Sequence, residues 1–290
     1  VNRDRRLDVS VVVPALNAAT TIGDQLEALA AQVFDGSWEV IVVDNGSVDG
    51  TADVCRGLAG FLPRLRVVTC DERGTSAARN AGAALADGDV LLFCDADDAV
   101  GARWVASMFE ALRRSDAVGG AVENERLSPG RPEHLPRHPS RLPVVAGFLP
   151  RSLTANLGVR RDVFEALGGF NREYDYGSDD TEFCWRLQLA SYRLEYAPAA
   201  VVHYRHRDSL RGTAIKAYRT GRSRGRLYRD FARAGMPRPR IAGALYRAAL
   251  IGAATALIPF SPRMRWWWAD QAPAAVGRLV GSIAFRVVYL

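Results

Sequence analysis

Three aspartates lie within four residues at Asp95-Ala96-Asp97-Asp98, directly after the apolar run Val90-Leu91-Leu92-Phe93 and Cys94. Carboxylates this close repel one another, and unpaired they are costly to keep ionised near a buried strand end. A hard divalent cation such as Mg²⁺ or Mn²⁺ resolves that conflict, because it prefers oxygen ligands and binds through one or two carboxylates plus phosphate oxygens. Capping of a helix starting at 98–104 is the other use for Asp98. It leaves Asp95 without a role.

A second polar cluster, Asp44-Asn45-Gly46-Ser47-Val48-Asp49-Gly50-Thr51, follows the apolar run Val40-Ile41-Val42-Val43. Its residue types suit a tight turn and a helix cap. Asp44 can also accept hydrogen bonds from a base or ribose. Gly74-Thr75-Ser76-Ala77-Ala78-Arg79 opens an Ala-rich helix whose small residues permit close approach of a ligand, with Arg79 able to face an anion or another carboxylate. Further on, Asp179, Asp180 and Glu182 form the acidic first turn of a helix. Arg186, one turn beyond Glu182, is placed to pair with it.

The elements that must hold these residues can be read from the pattern. Val9–Val13, 39–43, 66–69 and 90–93 are short, nearly continuous apolar runs, as strands covered on both faces would be. Pro14 is expected to end the first. Between them lie helical stretches at about 20–32, from Thr51, and at 75–86. Strands alternating with helices imply a mostly parallel sheet with right-handed crossovers. Ligands of such sheets bind beyond the carboxyl ends of the strands, where both aspartate clusters fall. Residues 128–150, with Pro129, Pro132, Pro136, Pro139, Pro143 and Pro150 around His134 and His138, read as a long loop over the sheet. A strand at Leu153–Val159, a helix near Asp162–Leu167, an acidic helix over about 179–190 and a strand at 201–203 follow.

Charge divides the chain. Residues 1–202 hold 21 Lys+Arg and 29 Asp+Glu; residues 203–290 hold 17 and 3, so the ends differ in sign although the whole is +6. The acidic part can hold a cation. The basic part should prefer an anionic partner. Arginines crowd residues 205–240, and Arg265-Trp266-Trp267-Trp268 and the apolar stretches 242–258 and 276–290 suit a membrane interface. Arg247, Pro259, Arg278 and Arg286 interrupt those stretches, so peripheral contact, rather than spanning, is expected. Packing on the sheet or a homodimer contact are the other uses for these helices. Cys55, Cys70, Cys94 and Cys184 fit no zinc spacing and read as buried free thiols of a reducing compartment. The polar start, Val1–Asp8, reads as lacking a signal peptide, and the expected location is cytoplasmic or peripheral on the inner membrane face.

Eight segments in order resemble the family 2 glycosyltransferases of GT-A fold. They are 13–17 (Val-Pro-Ala-Leu-Asn), 43–51, 78–82, 95–98, 156–161, 167–170, 179–186 and His203, together covering about residues 8–205. The resemblance implies an α/β fold of the nucleotide-diphospho-sugar transferase type: a Rossmann-like mixed, mostly parallel sheet with helices on both faces. It implies a catalytic domain over 1–207, with a nucleotide-binding half at about 8–125 and an acceptor half at about 126–207. Residues 208–290 form a basic helical extension. Pro14, Ala15, Asn17, Asp44, Asn45, Ser47, Gly74, Arg79, Asp95, Ala96 and Asp97 would bind the donor. Asp97, Asp95 and His203 would serve the metal, Mg²⁺ or Mn²⁺, with Asp97 the direct ligand. Asp180 matches the catalytic base, in a pair whose usual Glu is here Asp179. Asn156, Asp179, Glu182 and Trp185 would lie on the acceptor side.

The expected reaction is inverting transfer of a sugar from a nucleotide-diphosphate donor, a UDP-sugar foremost, to a hydroxyl of a glycan, lipid-linked or small-molecule acceptor. Charge on the departing diphosphate must be neutralised and the acceptor must lose a proton. Repulsion from Asp179 and Glu182 is expected to raise the pKa of Asp180. A sugar nucleotidyltransferase is the alternative, although Ala15-Leu16-Asn17-Ala18 lacks the Gly-rich basic loop such enzymes carry. A haloacid-dehalogenase-type phosphohydrolase needs its Asp-x-Asp after the first strand and a catalytic lysine, whereas the single lysine here is Lys216. The acidic front excludes a nucleic-acid binder.

Overall fold

The computed structural model describes residues 7–129, 141–174 and 177–289. The first half alternates strands and helices: Leu7–Ala15 (β1), Ile22–Ala30 (α1), Trp38–Asp44 (β2), Thr51–Gly57 (α2), Leu65–Thr69 (β3), Thr75–Leu85 (α3) and Gly88–Phe93 (β4). Then come Ala99–Val100 (β5), Trp104–Leu112 (α4), Ala117–Glu123 (β6) and a small ribbon of Val144–Val145 (β7) and Leu149–Pro150 (β8). Leu157–Arg160 (β9), Arg161–Ala166 (α5), Asp179–Leu189 (α6) and Leu194–His203 (β10) complete the sheet and its cover. Leu210–Phe231 (α7), Ile241–Thr255 (α8) and Pro262–Ala284 (α9) follow.

Eight strands form one sheet in the order β3-β2-β1-β4-β9-β6-β10-β5. The pairs β3/β2, β2/β1, β1/β4 and β6/β10 are parallel, while β9 runs antiparallel to both β4 and β6. So β1, β2, β3, β4, β6 and β10 all point the same way, and their carboxyl ends share one edge. The sheet is mixed and mostly parallel, as expected from the sequence.

Alternation along the strands builds two cores. Val9, Val11 and Val13 of β1 face α1, α2 and α4, where Ile22, Leu26, Leu29, Cys55, Trp104 and Met108 are buried. Val12, Ile41, Val43, Leu91 and Phe93 face α3, α5 and α6. Both faces are covered, as near-continuous apolar strands require. Gly82 of α3 brings that helix onto the sheet: a Cβ there would stand 2.5 Å from Val12 Cγ1.

Three expectations change. Pro14 does not end β1, which runs on to Ala15 paired with Asp44. Pro14 falls on the side facing β4, just beyond the last paired residue Phe93, where no ladder donor is needed. The strand expected at 153–159 begins only at Leu157, because Thr154–Asn156 forms a tight 3-10 turn. The helix expected at 98–104 begins at Trp104 after Arg103, so Asp98 does not cap it. His134, His138, Pro132, Pro136 and Pro139 lie outside the described residues.

The described chain forms two compact units. One holds the large sheet and its helices and continues to Arg205. The other consists mainly of α7, α8 and α9 with Val144–Leu149. No helix among the described residues is long and apolar enough to cross a membrane. All four cysteines are free thiols, three of them buried.

Candidate active site

Two loops meet where β1 and β2 end. The backbone N–H of Asn17 donates to Ser47 Oγ (2.9 Å), and that of Val48 donates to Asn17 Oδ1 (2.9 Å). Ala18 N–H donates to Thr51 Oγ1 (2.8 Å). Asn17 takes a positive φ of 51°, a conformation Asn tolerates better than most residues. Asp44 is buried at the end of β2 and accepts from Ser47 N–H (2.9 Å). Asn45 spends its amide on the next loop: Nδ2 donates to the Cys70 and Glu72 carbonyls, and Oδ1 accepts from Gly74 N–H (2.8 Å). Asn45 and Ser47 therefore spend their side chains on tying these loops to one another. Pro14 and Ala15 lie at the end of β1, beside this turn.

On the other side of β1, β4 delivers the acidic run. Ligand oxygens of Asp95, Asp97 and Asp98 lie within 4.8 Å of one another. Each has a different surrounding. Asp95 accepts from Arg79 Nη2 (2.6 Å), Asp98 is fully buried and accepts from Arg205 N–H (2.8 Å), and the Asp97 carbonyl takes Arg205 Nε (2.8 Å). Ala96 is packed in the core. Three convergent carboxylates, two of them part-exposed above the buried Asp98, are a donor set that fits a hard divalent cation. His203 is not part of that group. It ends β10, paired with Ala99, and its Nδ1 lies 2.7 Å from Glu123 Oε2.

Arg79 joins the halves of the site. Only 3% exposed, it reaches Asp95 with Nη2 and Asp179 with Nη1 (2.7 Å), and its guanidinium stands 5.8 Å from the centre of the Phe170 ring. Burial pushes the Asp179 carboxyl up to about 6, opposed by Arg79 and reinforced by the charges of Asp180 and Asp95. The neighbouring Asp180 forms an ion pair with Arg151. The sequence puts only acidic neighbours beside Asp180; the structure adds a cation from 29 residues away.

Other acceptor-side candidates are occupied with packing. Glu182 is buried and held by Arg186 through two contacts of 2.8 and 3.0 Å, the expected pair. Trp185 is fully buried. Asn156 is fully buried too; its Oδ1 accepts from Trp104 Nε1 (2.7 Å) and its Nδ2 donates to the Ala121 and Ala200 carbonyls. Both shape the fold beneath the site rather than face a ligand.

Residues 10–168 match the model of Glycosyl transferase family 2. The chain belongs to that family. Glycosyltransferase AglE of Haloferax volcanii is 32% identical over 195 residues, and the succinoglycan biosynthesis protein ExoM of Rhizobium meliloti is 31% identical over 207; each match covers 65% of this chain and 64% of the relative. The chain thus spans somewhat under two thirds of the length of these relatives. In fold it is similar to the mannosyltransferase PcManGT from Pyrobaculum calidifontis, solved in complex with GDP-Man and Mn²⁺, at a TM-score of 0.63 and 24% identity, covering 96% of this chain and 88% of that one. S. aureus TarS 1–349 in complex with UDP-GlcNAc gives a TM-score of 0.59 at 19% identity, over 98% and 93%.

Four contributors escaped the sequence reading. Glu123, Arg151 and Asp24 carried no motif signal. Arg205, which also pairs with Asp24, had been counted among the arginines of the tail. Its place two residues beyond the strand-end His203 was the available clue.

Proposed function

We propose that this family 2 member moves a sugar from a nucleotide-diphosphate donor, a UDP-sugar foremost, to a hydroxyl of a glycan, lipid-linked or small-molecule acceptor, with inversion at the anomeric carbon. The observation that carries the reading is the single buried guanidinium of Arg79 between Asp95 and Asp179. It sets the acidic run for the diphosphate beside the carboxylates for the acceptor on one sheet edge. The printed ligands of the structural relatives, GDP-Man with Mn²⁺ and UDP-GlcNAc, support a nucleotide-sugar donor.

In this reading the base and ribose lie in the cleft formed by Pro14, Ala15, Asn17 and Asp44, with Asn45, Ser47 and Gly74 fixing its walls. Asp97, with Asp95, would hold Mg²⁺ or Mn²⁺, which when bound supplies Lewis-acid neutralisation of the departing diphosphate, and His203, oriented by Glu123 outside that carboxylate group, would approach the metal or the diphosphate. Asp180 accepts the proton of the acceptor hydroxyl as that oxygen attacks from the face opposite the leaving group. One base and one displacement invert the configuration. Arg79 and Arg151 keep the carboxylates aimed while the site is empty. The four free thiols support a reducing, cytoplasmic setting.

Incubation with UDP-, GDP- and dTDP-sugars in the presence of Mn²⁺ tests the reading. Release of nucleoside diphosphate, increased by the right acceptor, is expected. Release of pyrophosphate from nucleoside triphosphate and sugar phosphate would make it a nucleotidyltransferase instead.

A further inference from the structure

The helical unit is built by close backbone contact. Gly221 and Gly225 of α7 lie against Ala274 and Gly281 of α9, and Gly277 of α9 lies against Tyr218 and Arg222 of α7. A Cβ on Gly221 would stand 2.2 Å from the Ala274 carbonyl oxygen, so no side chain fits between the two helices. The arginines of α7 are displaced to the flanks. There Arg222, Arg226 and Arg229 stand 5.3–5.8 Å from the Phe285 ring centre.

With α7 and α9 satisfied by each other, α8 is left bare. Its sequence, Ile241 to Thr255, has Arg247 as its one charged residue, yet Ala254 is its one buried side chain. Ile241 and Leu245 are 62% and 67% exposed, Tyr246 66%, and Phe260 just beyond the helix 83%. A helix apolar nearly all round belongs in a core or against lipid, not in water. Exposed Val276, Leu279 and Ile283 extend apolar surface along α9.

The cations around this surface are as telling. Arg224, Arg247 and Arg278 come from three different helices and interact electrostatically: burial first, then the charges of Arg247 and Arg224, hold Arg278 below the ordinary arginine range, with Tyr289 and Asp270 opposing. Arg238 and Arg240 precede α8, and Arg263 and Arg265 follow it, beside the half-buried Trp266, Trp267 and Trp268.

We propose that α8 and its encircling arginines dock this protein on an anionic phospholipid surface, with α8 lying in the interface rather than crossing it. Fifteen helical residues span roughly 22 Å, short of the ~30 Å hydrocarbon layer. Apolar insertion plus cationic attraction to headgroup phosphates is the chemistry of interfacial helices, and tryptophan beside arginine suits headgroup depth. A second copy is the less fitting occupant. A two-fold dimer through α8 would bring two sets of Arg247 and Arg278 together.

Flotation of the full chain with vesicles tests this, independently of any sugar transfer. Binding is expected to vesicles of phosphatidylcholine with phosphatidylglycerol and not to phosphatidylcholine alone, weakening as salt rises. Leu245→Glu should lower the bound fraction about tenfold or more at unchanged melting temperature. Phe260→Ser, at a strongly exposed position, is the second variant should Leu245→Glu melt early. No association with the anionic vesicles at low salt would overturn the proposal, as would equal binding to neutral ones. A concentration-dependent dimer abolished by Leu245→Glu, with vesicles ignored, would hand the surface to a second copy.

Discussion

Arg79 Nη1 lies 2.7 Å from Asp179 Oδ2, across 100 residues of sequence. The same guanidinium holds Asp95 with its other nitrogen, so α3 ties the end of β4 to the start of α6. Arginine suits this task because its planar fork serves two carboxylates at once, while lysine offers a point charge. We expect Arg79→Met to leave two partly buried carboxylates uncompensated, costing about 3 kcal/mol or more of stability. Displacement of both acidic groups should lower turnover by at least ~100-fold. Arg79→Lys should recover part of the stability and little of the turnover. Thermal unfolding and donor turnover measured on both variants check this; a fully active Arg79→Met would remove Arg79 from the site.

Asp180→Asn keeps shape and removes the proton acceptor. We expect turnover to fall by ~10²–10⁴-fold, the usual worth of a general base. Donor affinity, read by calorimetry with a nucleoside diphosphate and Mn²⁺, should change little, because Asp180 sits on the acceptor side. Unchanged turnover would reassign the base.

How far the sequence reaches is visible in these residues. Strands β1, β2 and β4 were legible because parallel strands buried on both faces read as apolar runs, and the ends of β2 and β4 placed Asp44 and Asp95 in advance. β6 was not: Ala117–Glu123 carries Gly119 and Gly120, which weaken any strand signal. Those glycines answer to tertiary neighbours, since a Cβ on Gly120 would stand 2.1 Å from the Ala200 carbonyl oxygen. With β6 unseen, Glu123 was unseen too. The partners of the site carboxylates were hidden for the same reason. Arg151 with Asp180 and Arg205 with Asp98 are meetings across 29 and 107 residues, set by topology rather than local pattern.

Arg151 bears on the aim of the base. It forms an ion pair with Asp180, and both side chains are mostly buried. Arg151→Gln removes that partner and frees the carboxylate to leave its place. We expect a stability loss on the order of 3 kcal/mol and a fall in turnover of up to ~100-fold, with nucleoside diphosphate binding kept. Turnover and thermal unfolding identical to those of the unaltered protein would exclude Arg151 from positioning the base.

Asp179 gives a stability prediction of defined sign. Its carboxyl takes a proton near pH 6 in the folded protein and near 3.8 when free. Between those values the folded state binds more protons than the unfolded state, so this group's contribution to stability falls as pH rises from about 4 to about 6. The loss is complete about one pH unit above 6. Relative to Asp179→Asn, the unaltered protein should lose on the order of 2 kcal/mol between about pH 4 and 6 and nothing further above about 7. Paired thermal unfolding curves from pH 4 to 8 check this, and an opposite slope would contradict the burial assigned to Asp179.

Glu123 and His203 set the last expectation. A carboxylate on one ring nitrogen fixes the tautomer and leaves the other nitrogen as a lone-pair donor, the arrangement that supports metal-ligating histidines. If His203 serves the cation or diphosphate beside Asp97, Glu123→Gln should weaken Mn²⁺ binding in the presence of nucleoside diphosphate by about 10–100-fold. His203→Ala should do at least as much, and the double variant should add little to it, because the carboxylate acts only through the ring. Calorimetric titration of Mn²⁺ into the nucleotide-loaded protein reads each step. Additive losses, or no loss in either single variant, would confine the pair to holding β6 against β10 and leave the aspartates at the end of β4 to bind the cation alone.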